Sequence, residues 1–352
     1  MNGIYKIYGI FTVYVIFLFL LPLVCPAQTV SNVVARQEGN TVVVTYSLDK
    51  DADISVCFSE DGGKTFSSAL TSVRGDVGPG VKSGERTFVW DVLEEVDRLV
   101  TTDLVFRVVP GGMDIAFTAN GVPFRMVYVK GGIFEMGATK EQGKAAAKNE
   151  FPVHSVTLSG FYIGQTEVTQ ELWEAVMGTN PSSHKSALCP VETVSWDECQ
   201  YFLKRLNKLL EKQLYGRRLV LPTEAQWEYA ARGGEDAPKQ KFSGGNSAGN
   251  VGWIAPQSNG ETHPVMEKQP NRLGLYDMSG NVWELCSDRY GSYTSSAQEN
   301  PGGASSGMYR VRRGGSYTSE STDCRVSRRM SCAQNVRDRS VGLRLALVEI
   351  SK

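Results

Sequence analysis

Only three histidines, His154, His184 and His263, occur in 352 residues. A three-histidine iron or zinc site would need all of them, which disfavours that class of metal chemistry. Excess charge is missing too: 37 basic residues stand against 38 acidic ones. No basic surplus points to nucleic acid, and no acidic tail points to a disordered segment. There is no CxxC pair and no Cys/His cluster to suggest zinc. The uncharged run Ile10 to Val24 is shorter than the roughly 20 residues a bilayer needs. Lys6 precedes it, Pro22 breaks it, and Cys25-Pro26-Ala27 ends it on a small residue. Residues 1–27 therefore read as a secretory signal peptide cleaved after Ala27. A membrane anchor is disfavoured by the length of the run. Lipidation at Cys25 is disfavoured by the bulk of Val24. The protein is expected in the periplasm, on the cell surface or secreted, with no transmembrane segment in the mature chain.

Six cysteines follow the cleavage point: Cys57, Cys189, Cys199, Cys286, Cys324 and Cys332. In an oxidising compartment some could pair, and spacing alone leaves the connectivity open. The 36 glycines exceed average usage of roughly 7% and suggest a turn-rich fold. The length suits two domains. Residues 28–112 read as all-β. Thr41–Tyr46, Ile54–Phe58, Thr87–Trp90 and Leu104–Val109 are β-branched and aromatic runs separated by Gly-containing turns. That spacing predicts a small immunoglobulin-like sandwich. Inside it, Ser59-Glu60-Asp61-Gly62-Gly63-Lys64-Thr65-Phe66 resembles an Asp-box hairpin and is read as a structural turn. A linker is expected over 113–123, and a second domain over 124–349. In that domain Ser195 to Glu198 forms a capping box ahead of Cys199, Phe202, Leu203 and Leu206 at helical spacing. Thr223 opens another helix that stops at Gly233-Gly234.

The landmarks of the second domain come in a fixed order. They are Gly131–Gly137, Glu167-Val168-Thr169, Pro190–Trp196, Leu219–Ala230, Gly274–Glu284, Arg313–Tyr317 and Gly342–Leu345. The series resembles the formylglycine-generating enzyme, or sulfatase-modifying factor, family. The resemblance implies an α+β, C-type-lectin-like fold poor in regular secondary structure. It also implies oxidation of a protein cysteine by O₂ at a copper(I) ion held between two cysteines five positions apart. Here the second of these is Cys324, the candidate catalytic residue, but the first is Ser319. A hydroxyl is a hard, neutral ligand and a poor partner for copper(I), so copper is not expected. Whether Cys286 or Cys332 could replace the missing sulfur is open from sequence.

The resemblance further implies calcium held by Asp277 and Glu284 side chains and by the carbonyls of Gly280 and Val282. A weaker second calcium site would use Asn250 and Val251, with Gln257 where an aspartate is expected. Trp283, Ser316, Tyr317, Arg325 and Arg344 match positions around the substrate groove. Arg325, Arg328, Arg329, Arg337, Arg339 and Arg344 form a dense cluster, read first as a paired surface and second as a recognition patch for an acidic peptide or sulfated glycan. The preferred function is a calcium-stabilised, extracytoplasmic module without oxidase activity that binds a protein or glycan; the resemblance allows this, since similar domains in secreted bacterial proteins often lack the copper pair. The alternatives are a formylglycine-generating oxidase with a non-standard site, and a non-haem iron oxidase.

Overall fold

The computed structural model describes residues 30–349 apart from 68, 97, 98, 215 and 216. The predicted signal peptide lies outside the described residues. The chain divides into two compact units, one ending at Ile115 and the other beginning at Ala116. No described helix is long and apolar enough to cross a membrane.

The first unit holds β1 (Val30–Glu38), β2 (Thr41–Leu48), β3 (Ala52–Ser59), β4 (Val73–Gly75), β5 (Gly78–Val81), β6 (Gly84–Asp91) and β7 (Val105–Pro110). They form two antiparallel sheets, β1-β2-β6-β4 and β5-β3-β7. Alternation builds the core. Val42, Val44, Tyr46 and Leu48 on β2 and Phe88 and Trp90 on β6 are all buried. Trp90 packs 4.6 Å from Phe58 and edge-on, at 5.6 Å, to Phe106. The Asp61 turn is structural. Its carboxylate accepts from the Lys64 and Thr65 amides at 3.0 and 2.9 Å, and hydrogen bonds from Ser59 and Thr65 hold it well below the usual carboxylate range.

The second unit holds β8 (Ile115–Ala119), β9 (Val122–Val129), β10 (Gly132–Met136), β11 (His154–Leu158), β12 (Phe161–Gly164), α1 (Gln170–Met177) and α2 (Trp196–Leu209). A short α3 (Glu211–Leu214) groups with the first unit. Then follow β13 (Arg217–Val220), α4 (Glu224–Arg232), α5 (Ala248–Val251), β14 (Trp283–Arg289), β15 (Gln298–Glu299), β16 (Tyr309–Arg313), β17 (Arg329–Ala333), β18 (Val341–Leu343) and β19 (Ala346–Glu349). The linker expected over 113–123 is mostly strand. β8 and β9 are neighbours at one edge of the sheet β13-β19-β12-β9-β8. Asn120 and Gly121 turn between them at φ 48° and 87°, the two positive values a tight hairpin requires. Ile115, Phe117 and Ala119 are buried, which explains why this stretch joins the core.

Both helix starts follow their sequence signals. Ser195 Oγ accepts from the Glu198 amide at 3.2 Å while Glu198 Oε2 accepts from the Ser195 amide at 3.0 Å. Thr223 and Gln226 repeat the exchange on α4, which ends at Gly233 with φ 94°. Sheet β17-β16-β14-β18 and helix α4 enclose the core that carries the site.

Candidate functional site

After β16 the chain turns through Gly314 and Gly315, at φ 93° and 77°. A Cβ on Gly315 would lie 2.4 Å from the Cys324 sulfur and 3.0 Å from the Asp323 carbonyl, so only glycine fits. This close approach folds Ser316–Ser319 back over Cys324. The Ser316 amide donates to Ser319 Oγ at 3.1 Å. Ser316 Oγ lies 3.1 Å from Ser319 Oγ and 3.0 Å from Thr318 Oγ1. The Cys324 sulfur sits in an apolar cluster with Phe242, Ala248, Val251 and Ile254. Burial pushes its thiol up to about 12, with the Asp323 charge adding, so it is protonated at neutral pH.

Among the described residues no second sulfur joins that cluster. Cys286 on β14 belongs to the larger core beside Trp227 and Val311. Cys332 on β17 reaches the Ala333 carbonyl. All six described cysteines are free thiols. The three histidines each have their own partners, and among the described residues they do not group. His154 packs on Tyr293, His184 contacts Thr262, and His263 stacks on Trp253. They do not form the triad an iron oxidase would need.

Two expected groove residues are buried in ion pairs. Arg325 is 1% exposed and grips Glu150 with both terminal nitrogens at 2.8 and 2.7 Å. Arg344 is fully buried and holds Glu284 at 2.9 and 2.7 Å, with the Gly164 and Tyr276 carbonyls filling its other donors. A buried guanidinium needs such a full set of acceptors. Trp283 lies 5.1 Å below Arg312, and Tyr317 donates its amide to the Asn281 carbonyl at 2.7 Å. The arginine cluster is likewise paired: Arg328 with Asp323, Arg329 with Glu224 and Arg337 with Glu198. Arg339 is exposed and forms no ion pair among the described residues.

The sulfatase-modifying factor enzyme 1-like domain family matches residues 117–348. This chain belongs to that family. It is 32% identical over 247 residues to the chaperone protein LppX of Paenibacillus barcinonensis, covering 57% of this chain and 81% of that protein. It is 29% identical over 282 residues to the formylglycine-generating enzyme of Streptomyces coelicolor, covering 61% and 86%. Its fold matches Treponema denticola variable protein 1 with a TM-score of 0.59 and 32% identity, over 66% of this chain and 98% of that one. It spans only 35% of the length of a serine/threonine-protein kinase of Chlamydia pneumoniae, at 31% identity.

The residues expected at the first calcium position, Asp277, Gly280, Val282 and Glu284, are all buried. Glu284 Oε1 accepts from Arg344, and Oε2 accepts from Arg344 and from Trp227 Nε1 at 2.6 Å, so the guanidinium already supplies the positive charge. Gly280 donates to the Gly314 carbonyl, and the Val282 amide donates to Glu167 Oε1 at 2.9 Å. Asp277 Oδ2 accepts from the Met266 amide at 2.9 Å, while Oδ1 is buried without a partner. Burial pushes Asp277 up to about 6 against the opposing Met266 amide and Arg344. Glu167 is pushed well above the usual range by burial, with Asp277 and Glu284 adding. Among the described residues no three His, Cys, Asp or Glu side chains group to hold a metal ion. At the second position the Asn250 carbonyl accepts from the Gln269 amide at 3.0 Å, and Lys268 occupies the neighbouring Gly249 carbonyl at 2.8 Å.

Sequence reading missed the hub of this loop. Asn281, at φ 55°, donates to Glu167 Oε2 at 2.7 Å and accepts from the His263 amide at 3.1 Å. Glu167 and Asn281 both stand in quoted landmarks, but nothing in the one-dimensional pattern shows that they meet across 114 positions.

Proposed function

We propose that this protein is an exported, non-oxidising binding module, with the family domain presenting its surface to an extracytoplasmic protein or glycan. The first unit is proposed as an immunoglobulin-like spacer or second binding face. The observation that carries the reading is Ser319. Its hydroxyl is committed to Ser316, beside a protonated, buried Cys324, where copper(I) chemistry needs a second soft sulfur. Two relatives with other names, a chaperone and a variable protein, are consistent with the domain serving purposes besides cysteine oxidation.

Copper(I) competition against a chromogenic chelator, together with a cysteine-peptide oxidation assay, tests this. Wild-type protein is expected to bind copper(I) weakly and to leave the peptide intact. Ser319→Cys is expected to tighten copper(I) binding at least about tenfold, because it places a second thiol in the turn that lies against Cys324. Tight copper(I) binding and peptide oxidation by the wild type would establish the oxidase reading instead.

A further inference from the structure

The single turn of α5 leaves its last carbonyls without helical partners, which makes its end a place for positive charge. The family resemblance implies a second metal position in this loop, with an aspartate expected where Gln257 stands. Here the Gly249 carbonyl accepts from Lys268 Nζ at 2.8 Å. The same ammonium lies 3.7 Å from the centre of the Trp253 ring. That ring stacks on His263 at 3.7 Å and 12°, and His263 Nε2 donates to the Ser258 carbonyl at 2.9 Å. The next residue, Gln269, donates its amide to the Asn250 carbonyl. The Gln257 amide packs so closely on Gly249 that a Cβ there would lie 2.1 Å from Nε2.

We infer that Lys268 is a built-in cation that holds the 249–259 loop in place of the family's second metal ion. The charge accounting is consistent. A divalent ion beside a carboxylate and an ammonium beside a neutral amide leave the loop with the same net charge. The contacts match in kind as well. A carbonyl oxygen and an aromatic face are both good partners for an ammonium. Among the described residues no carboxylate pairs with Lys268. The ammonium's work is therefore done on the backbone of this loop. The two changes belong together: an aspartate at 257 would draw the ammonium away from the Gly249 carbonyl, and a dication would be repelled by Lys268. The loop is then ordered without free calcium.

The test uses the mature chain, with terbium(III) as a luminescent probe excited through Trp253 and calcium as its competitor. Wild-type protein is expected to show no calcium-displaceable terbium emission and the same melting temperature in calcium and in chelator. Lys268→Met is expected to lower the melting temperature by about 3 °C. Lys268→Met combined with Gln257→Asp is expected to gain calcium-displaceable emission and a melting temperature that rises with calcium. A calcium-dependent melting temperature in the wild type would overturn the inference. So would a Lys268→Met variant that melts like the wild type, or a folded double variant without any calcium response.

Discussion

At the scale of single residues this domain is organised by buried charge. Glu150 with Arg325, Glu224 with Arg329, Glu228 with Arg313 and Glu284 with Arg344 are all nearly or wholly removed from water. Asp288 on β14 differs in having no cation of its own. Its Oδ2 accepts from the Glu224 amide at 3.1 Å and from the Ser287 hydroxyl at 2.9 Å. Burial, with Glu224 adding, pushes it up to about 7. The unfolded value is about 3.9. The folded state therefore holds this proton more tightly, and the stability it contributes is full at low pH and is lost as pH rises from about 4 through 7. Asp288→Asn keeps the acceptor and removes the titration. Its denaturation midpoint should fall less than the wild type's between pH 5 and pH 8, leaving it more stable at pH 8 by about 1–3 kcal/mol. Parallel pH profiles for the two proteins would show that Asp288 titrates normally.

At the scale of elements, one close approach decides the candidate site. Gly315 lets the Ser316–Ser319 turn lie against Cys324. Gly315→Ala meets both a positive φ and a 2.4 Å overlap, and is expected to cost about 2–4 kcal/mol in urea melts. Gly39 has a similar φ of 62° with nothing within 4 Å, so Gly39→Ala should cost about 1 kcal/mol. Equal losses at the two positions would show that backbone strain alone, and not the approach to Cys324, sets the requirement. Elements with local signals were legible in sequence. The Ser195 and Thr223 caps and the β2, β3, β6 and β7 runs all lie where their patterns place them. The β8–β9 hairpin carried an equally local signal, Asn120-Gly121, within the stretch expected as linker.

At the scale of the whole molecule, the proposed function depends on export, and export has a direct measurement. Intact mass or N-terminal sequencing of the secreted protein should find Gln28 as the first residue. A mature chain that retains Ile10 to Val24 would overturn the export reading. The sequence by itself determined the family, through landmarks strung in order from Gly131 to Leu345. It also determined the strand runs and helix caps, because these depend on neighbours a few positions apart. Only the tertiary structure decided the fate of the charges. Arg325 and Arg344 looked like groove residues until Glu150 and Glu284 closed on them, 175 and 60 positions away. Glu284 reads from sequence as a candidate calcium ligand, and only the fold shows Arg344 at both its oxygens. A carboxylate has the same formula whether it meets a metal ion, an arginine or water. Which of these neutralises it is set by burial and by partners that only the folded chain brings within hydrogen-bonding distance.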